Sequence, residues 1–136
     1  MNIDKHELIL RTGEHALYEY DRDSDMLEII FGSAKATCAI ELTESIILRF
    51  DWNTNEPLSL SFISLSRLMQ STKYGEMYFQ LLVEEWPYEA REKIWRMLQT
   101  LPLAEFLTLS SYIPAHSCQT IPMTTIKTSH VLSQAA

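Results

Sequence analysis

Residues 16–31 read ALYEYDRDSDMLEIIF. Two runs rich in β-favouring residues, Ala16–Tyr20 and Met26–Phe31, flank Asp21-Arg22-Asp23-Ser24-Asp25, a dense turn signal. Short Asp and Ser side chains bond their own backbone two residues on, so this segment predicts a tight hairpin. Gly32 bounds the second run. Working outward, Thr37–Leu42 and Ser45–Trp52 predict a second hairpin turned at Thr43-Glu44. Asn53–Pro57 is a third turn. Leu58, Leu60 and Phe62 then alternate with Ser59, Ser61 and Ile63, a period of two with one apolar face. The serines fall on the polar outer face. Short turns between about five strands over residues 16–66 predict an antiparallel β-meander, and a sheet with one apolar face needs a cover.

Residues 67–112 are expected to supply that cover as helices packed on one face, which makes the fold class α+β. Tyr74, Met77, Tyr78, Leu81 and Leu82 recur at helical spacing. Pro87 suits the first turn of a further helix, on which Tyr88, Ile94, Trp95, Leu98 and Leu101 share one side. Glu89–Lys93 and Glu92–Arg96 are i,i+4 pairs in the favourable order, each adding about 0.3 kcal/mol. Pro102 stops that helix. Leu103–Ser110 reads as a short helix, but Phe106–Leu109 reads equally as a strand. Residues 1–15 form a separate N-terminal segment. Residues 113–136 are Ser-, Thr- and Pro-rich with spaced apolar residues, the composition of a loop or disordered tail. After Phe106 the only formal charge is Lys127, which suits a tail ordered against the domain or by a partner.

Composition narrows the function classes. The apolar fraction is 46% and the net charge is -7, an acidic balance that disfavours direct nucleic-acid binding and favours a basic protein partner. Cys38 and Cys118 form no metal spacing, and reduced thiols point to a cytoplasmic location. The opening MNIDKHELIL lacks a signal-peptide core, and no apolar run is long enough for a membrane helix.

Residues 20–29, YDRDSDMLEI, then the acidic stretch Glu41–Glu44, the strand Ile46-Ile47-Leu48-Arg49-Phe50-Asp51, the turn Asn53–Pro57 and the last strand Leu58–Leu65 carry a resemblance. In this order they resemble the bacterial and cyanobacterial family called domain of unknown function 2283, over about residues 16–66. Glu28 stands where that family often has Tyr, and no glycine lies between Trp52 and Leu65. The resemblance implies a compact meander closed by a helix, and an antitoxin-like binding role. It supplies no catalytic residues.

Candidate chemistry is sparse. Asp21, Asp23 and Asp25 have the beginning of a calcium loop, but Met26 and Gly32 occupy the positions that need Gly and Glu. Their reading is a hairpin turn, with a weak cation site or catalytic carboxylates as the alternatives. His6, His15, His116 and His130 share no ligand spacing, and His116 with Cys118 in a tail makes no nucleophile pair. Three glycines cannot build a phosphate loop. No cofactor, metal or catalytic group is expected.

The expected function is therefore a non-enzymatic interaction module, an antitoxin-like or accessory subunit binding a protein through its C-terminal half. Trp86, Trp95, Ile121, Met123, Ile126, Val131 and Leu132 are the candidate contact residues, because aromatic anchors dominate hot spots and a low-charge segment can add to a sheet edge. For the tryptophans the alternative is core packing. Two other functions stay open: an assembly subunit of a larger complex, and a small-ligand binder or enzyme using the Asp21–Asp25 carboxylates. A homodimer through an exposed sheet edge is compatible with all of these.

Overall fold

The computed structural model describes residues 2–73, 75–116 and 118–127. The hairpin written by residues 16–31 is present. Strand β1 (Ile3–Ile9) precedes it, and β2 (His15–Asp21) pairs with β3 (Met26–Ile30), placing Tyr18 opposite Ile29 and Tyr20 opposite Leu27. Its acids build its turn. Asp21 Oδ1 accepts the Asp23 backbone N–H at 3.0 Å, and Asp25 adopts a left-handed conformation, φ 55°, which Asp tolerates better than most residues. β1 pairs along its whole length with β2, so the separate N-terminal segment is instead an edge strand.

β4 (Cys38–Thr43), β5 (Ile46–Asp51) and β6 (Glu56–Ile63) form a second antiparallel run, and the sheet order is β1-β2-β3-β6-β5-β4. The meander is thus two three-strand runs whose last strands lie side by side. One unbroken meander would have put β4 beside β3. The connection over residues 31–37 makes the difference: it must cross three strand spacings, about 14 Å, and a chain of that length reaches further.

The alternation read in the sequence decides which face is inside. Leu8, Tyr18, Leu27, Ile29, Ile46, Leu48, Leu60 and Phe62 point inward and are buried. The cover is not the expected set of helices. Helix α1 (Leu65–Leu68) is a single turn, and α2 (Tyr88–Leu98) is the one long helix among the described residues. α2 contributes Ala90, Ile94, Met97 and Leu98 to the same apolar cluster as the inner sheet face. Tyr88 and Leu101, expected on that side, are exposed.

The segment expected to be the first helix is extended. Strands β7 (Ser71–Thr72) and β8 (Gly75–Glu76) pair with each other, and β9 (Phe79–Gln80) joins a second sheet. Gly75 at φ 112° cannot continue a helix. The amides beyond it find partners elsewhere: Leu81 N–H donates to Pro122 O at 3.0 Å and Leu82 N–H to Leu42 O at 2.9 Å. Tyr74 lies outside the described residues. The ambiguity at residues 103–112 resolves into a 3-10 turn, Leu103–Glu105, followed by β10 (Leu107–Tyr112).

Part of the tail is also a strand. β11 (Ile121–Ile126) lies between β10 and β9 in the three-stranded sheet, which corrects the loose-tail expectation for those residues. Its buried hydroxyls are satisfied: Thr124 Oγ1 donates to Thr108 O and Thr125 Oγ1 to Met77 O, each at 2.9 Å. Ile126 joins the main apolar cluster. Uncharged threonines can be buried cheaply when paired in this way, so the low charge of the segment reflects inclusion in the fold.

Candidate interaction surface

The Asp21–Asp25 turn is committed to structure. Asp25 accepts the Tyr20 hydroxyl at 2.7 Å, the Ser66 hydroxyl at 2.9 Å and the Ser66 backbone N–H at 3.1 Å, while its own carbonyl accepts the Leu65 N–H at 2.9 Å. It caps α1 from across the chain, where the N-cap residue Ser64 makes no side-chain cap. Burial pushes the Asp25 carboxyl up, but the bonds from Tyr20 and Ser66 outweigh it and hold the pKa below its usual value. Arg22 pairs with Asp4, and Asp23 accepts from Asn2. Among the described residues no group of three or more His, Cys, Asp or Glu could hold a metal. His6 and His15 lie on opposite faces of the sheet, His116 lies beyond β10, and His130 is outside the described residues.

The candidate contact residues scatter. Trp86 is 3% exposed, and its Nε1 donates to Glu41 O at 2.7 Å. It locks the α2 entrance to β4 and cannot be a surface anchor. Trp95 is half-buried against the core. Ile121 and Met123 are half-buried, Ile126 is buried, and Val131 and Leu132 lie outside the described residues. Among the described residues these side chains make no continuous exposed patch. Trp52 sits at the core edge, where Lys93 Nζ lies 4.2 Å from its ring centre and donates to its carbonyl at 2.8 Å. Lys93 therefore leaves its expected Glu89 partner, whereas the Glu92–Arg96 pair forms. Cys118 is exposed, and burial raises the Cys38 pKa.

The surface that sequence reasoning missed is the outer face of the large sheet. No described element covers it, and its residues are not simply polar. Ile3, Ile9, Leu17 and Ile63 all point outward, and Ile9 is 72% exposed. Between them runs a row read across the strands as Lys5, Glu19, Glu28, Ser61, Ile47 and Glu41. Glu19 and Glu28 are directly opposite each other, an unfavourable like-charge pair, and Lys5 reaches only Glu19, at 3.8 Å. Two depressions flank this row. One of about 500 Å³ is lined by Glu7, His15, Leu17, Ile30 and Phe31. The other, of about 200 Å³, is lined by Ile3, Glu19, Asp21, Met26 and Glu28. Ser59 and Ser61 belong to this face as expected, but both are buried; Arg49 folds over them and donates to Ser61 Oγ at 2.7 Å. The signal available in the sequence was the apolar residue on the nominally polar side of each strand: Leu17, Ile30, Ile47 and Ile63.

No family model, curated protein or solved structure matches the chain. No helix among the described residues is long and apolar enough to cross a membrane.

Proposed function

We propose that the protein is a non-enzymatic interaction module, an antitoxin-like or accessory subunit, that binds a basic protein partner through the outer face of β1, β2 and β3. The observation that carries this is the face itself, which no described element covers. It joins exposed Ile9 and Leu17 to the opposed carboxylates Glu19 and Glu28. Apolar side chains supply contact area, while unbalanced carboxylates select a partner bearing Lys or Arg and gain from its approach. Of the C-terminal candidates among the described residues, Trp86 and Ile126 are buried and Trp95, Ile121 and Met123 are half-buried, which favours the sheet face as the contact surface.

Asp25 and Tyr18 are poorly suited to general acid–base work. Asp25 is held below the usual carboxylate range, and burial together with nearby Tyr20 and Asp4 pushes the Tyr18 hydroxyl up to about 12. Both shifts lead away from neutrality, whereas general acid–base work needs groups drawn toward it.

The test is affinity capture from the native host with three baits: the unmodified chain, a Leu17→Lys/Glu28→Lys chain, and an Ile121→Ser/Met123→Ser chain. The expected result is one stoichiometric basic protein held by the first and third baits and lost from the second, with retention weakening as salt rises. Loss from the third bait with retention by the second would return the binding site to the C-terminal half.

A further inference from the structure

β1 is an open edge. It pairs with β2 on one side, and among the described residues nothing pairs with its other side. The phase of its hydrogen bonds follows from those at its ends. Arg22 N–H donates to Asn2 O at 2.9 Å, and Leu10 N–H donates to Glu14 O at 2.8 Å. Asn2, Asp4, His6, Leu8 and Leu10 therefore bond inward to β2, because antiparallel ladders alternate. The N–H and C=O groups of Ile3, Lys5, Glu7 and Ile9 point to the free edge. Exposed edges of this kind recruit another strand unless something blocks them.

The sequence of the edge, Ile3-Asp4-Lys5-His6-Glu7-Leu8-Ile9, is complementary to itself when reversed about His6. A two-fold axis there sets Ile3 opposite Ile9 of a second copy and Lys5 opposite Glu7 of that copy. All four of these side chains lie on the outer face, and all four carry the outward amides. The register thus satisfies about eight backbone hydrogen bonds and brings Glu7, which within the chain pairs with His15, and Lys5, which reaches Glu19, into two further ion pairs across the axis. The nearest two-fold registers that also match the outward amides fail on charge. One places Lys5 opposite Lys5, the other Glu7 opposite Glu7. Charged residues on an edge usually prevent association; here their spacing forbids the neighbouring registers and permits one.

We infer that the partner of this edge is a second copy of the same chain, joined through β1 to β1 about a two-fold axis at His6. The two large sheets become one continuous sheet. This assembly does not depend on the basic partner proposed above, since it uses the edge amides and leaves the Leu17–Glu28 region of the face open.

Light scattering on the eluted chain, with sedimentation over a concentration series, reads the assembly. The unmodified chain is expected to be dimeric. Lys5→Glu and Glu7→Lys each place like charges opposite each other at two symmetry-related positions, so each alone should weaken the dimer at least about tenfold. Mixing the two variants restores opposite charges at both positions, and the mixture should recover a dimer containing one chain of each. Lys5→Pro removes one outward N–H without touching the bonds to β2, and it too should dissociate the dimer. Circular dichroism and melting temperature confirm that each variant is folded. A monomeric unmodified chain, a dimer indifferent to both charge reversals, or two folded single variants that fail to pair when mixed would each overturn the inference.

Discussion

Replacing Asp25 isolates the contact that ties the first hairpin to the start of α1. In Asp25→Ala three side-chain contacts vanish: the Tyr20 hydroxyl at 2.7 Å, the Ser66 hydroxyl at 2.9 Å and the Ser66 N–H at 3.1 Å. A cap of this kind is worth about 1 kcal/mol. The bond from the half-buried Tyr20 to a charged acceptor adds about 1 kcal/mol after allowance for solvent access. Forcing Ala into φ 55° costs about 1 kcal/mol more. The expected loss is about 3 kcal/mol, roughly a 10 °C fall in melting temperature for a chain of this size. Asp25→Asn keeps the backbone preference and one acceptor oxygen, so it should lose only about 1 kcal/mol. Urea titrations followed by tryptophan fluorescence measure both. The pH profile is a second readout. The folded-state pKa of Asp25 lies below its ordinary value, so its contribution is present above the unfolded-state pKa and is lost as pH falls through the folded value. The difference between the unmodified chain and Asp25→Asn should therefore shrink only below about pH 4. Equal stabilities for Ala and Asn, or a difference that persists unchanged in acid, would refute the assignment of Asp25 as a charged cap.

The Tyr18 hydroxyl is buried with no hydrogen-bond partner among the described residues, so Tyr18→Phe should leave stability unchanged or raise it by up to about 1 kcal/mol in thermal melts. Its pKa is pushed up to about 12 by burial and by nearby Tyr20 and Asp4; stability is full below the unfolded value near 10 and declines as pH rises toward 12, and the Phe variant should lack that part of the alkaline loss. Trp86→Phe removes the Nε1 bond to Glu41 O and strands that carbonyl beside the core, at a cost of about 2 kcal/mol in denaturant titration. Lys93→Met keeps the aliphatic stem but loses the cation over Trp52, which should cost about 1 kcal/mol and change the Trp52 emission.

The two hairpins were legible because local chemistry alone specifies them: turn acids, period-two alternation and β-branched residues all agree over residues 16–63. β1 was hidden because its inward side carries Asp4 and His6 beside Leu8, so neither side of the strand reads as apolar. The spacing of Met77, Tyr78, Leu81 and Leu82 fits a helix as well as short extended pieces, and only the distant acceptors Leu42 and Pro122 decide between them. β11 had a usable signal in Ile121, Thr124, Thr125 and Ile126, whose β-branched character outweighs a loop-like content of Thr and Pro. The face pairing of β3 with β6 depends on where residues 31–37 carry the chain, and no local pattern encodes that. Trp86 reads as an anchor from its position ahead of Pro87, but there an indole nitrogen bonded to a strand carbonyl serves the core equally well.

The order β10-β11-β9 also has a consequence for how the chain matures. The middle strand of that sheet is made after both of its neighbours, so β9 and β10 leave the ribosome without the element that joins them. Until residues 121–126 emerge, Phe106, Leu107 and Leu81 lack the partner that Ile126 and its strand provide. Lys127 then fastens the closure, its backbone N–H donating to Phe106 O at 2.8 Å and its Nζ to Ala104 O at 2.6 Å. A nascent chain halted before Thr124 would leave the apolar residues around Phe106 and Leu107 without that strand, the kind of transiently exposed surface that favours aggregation.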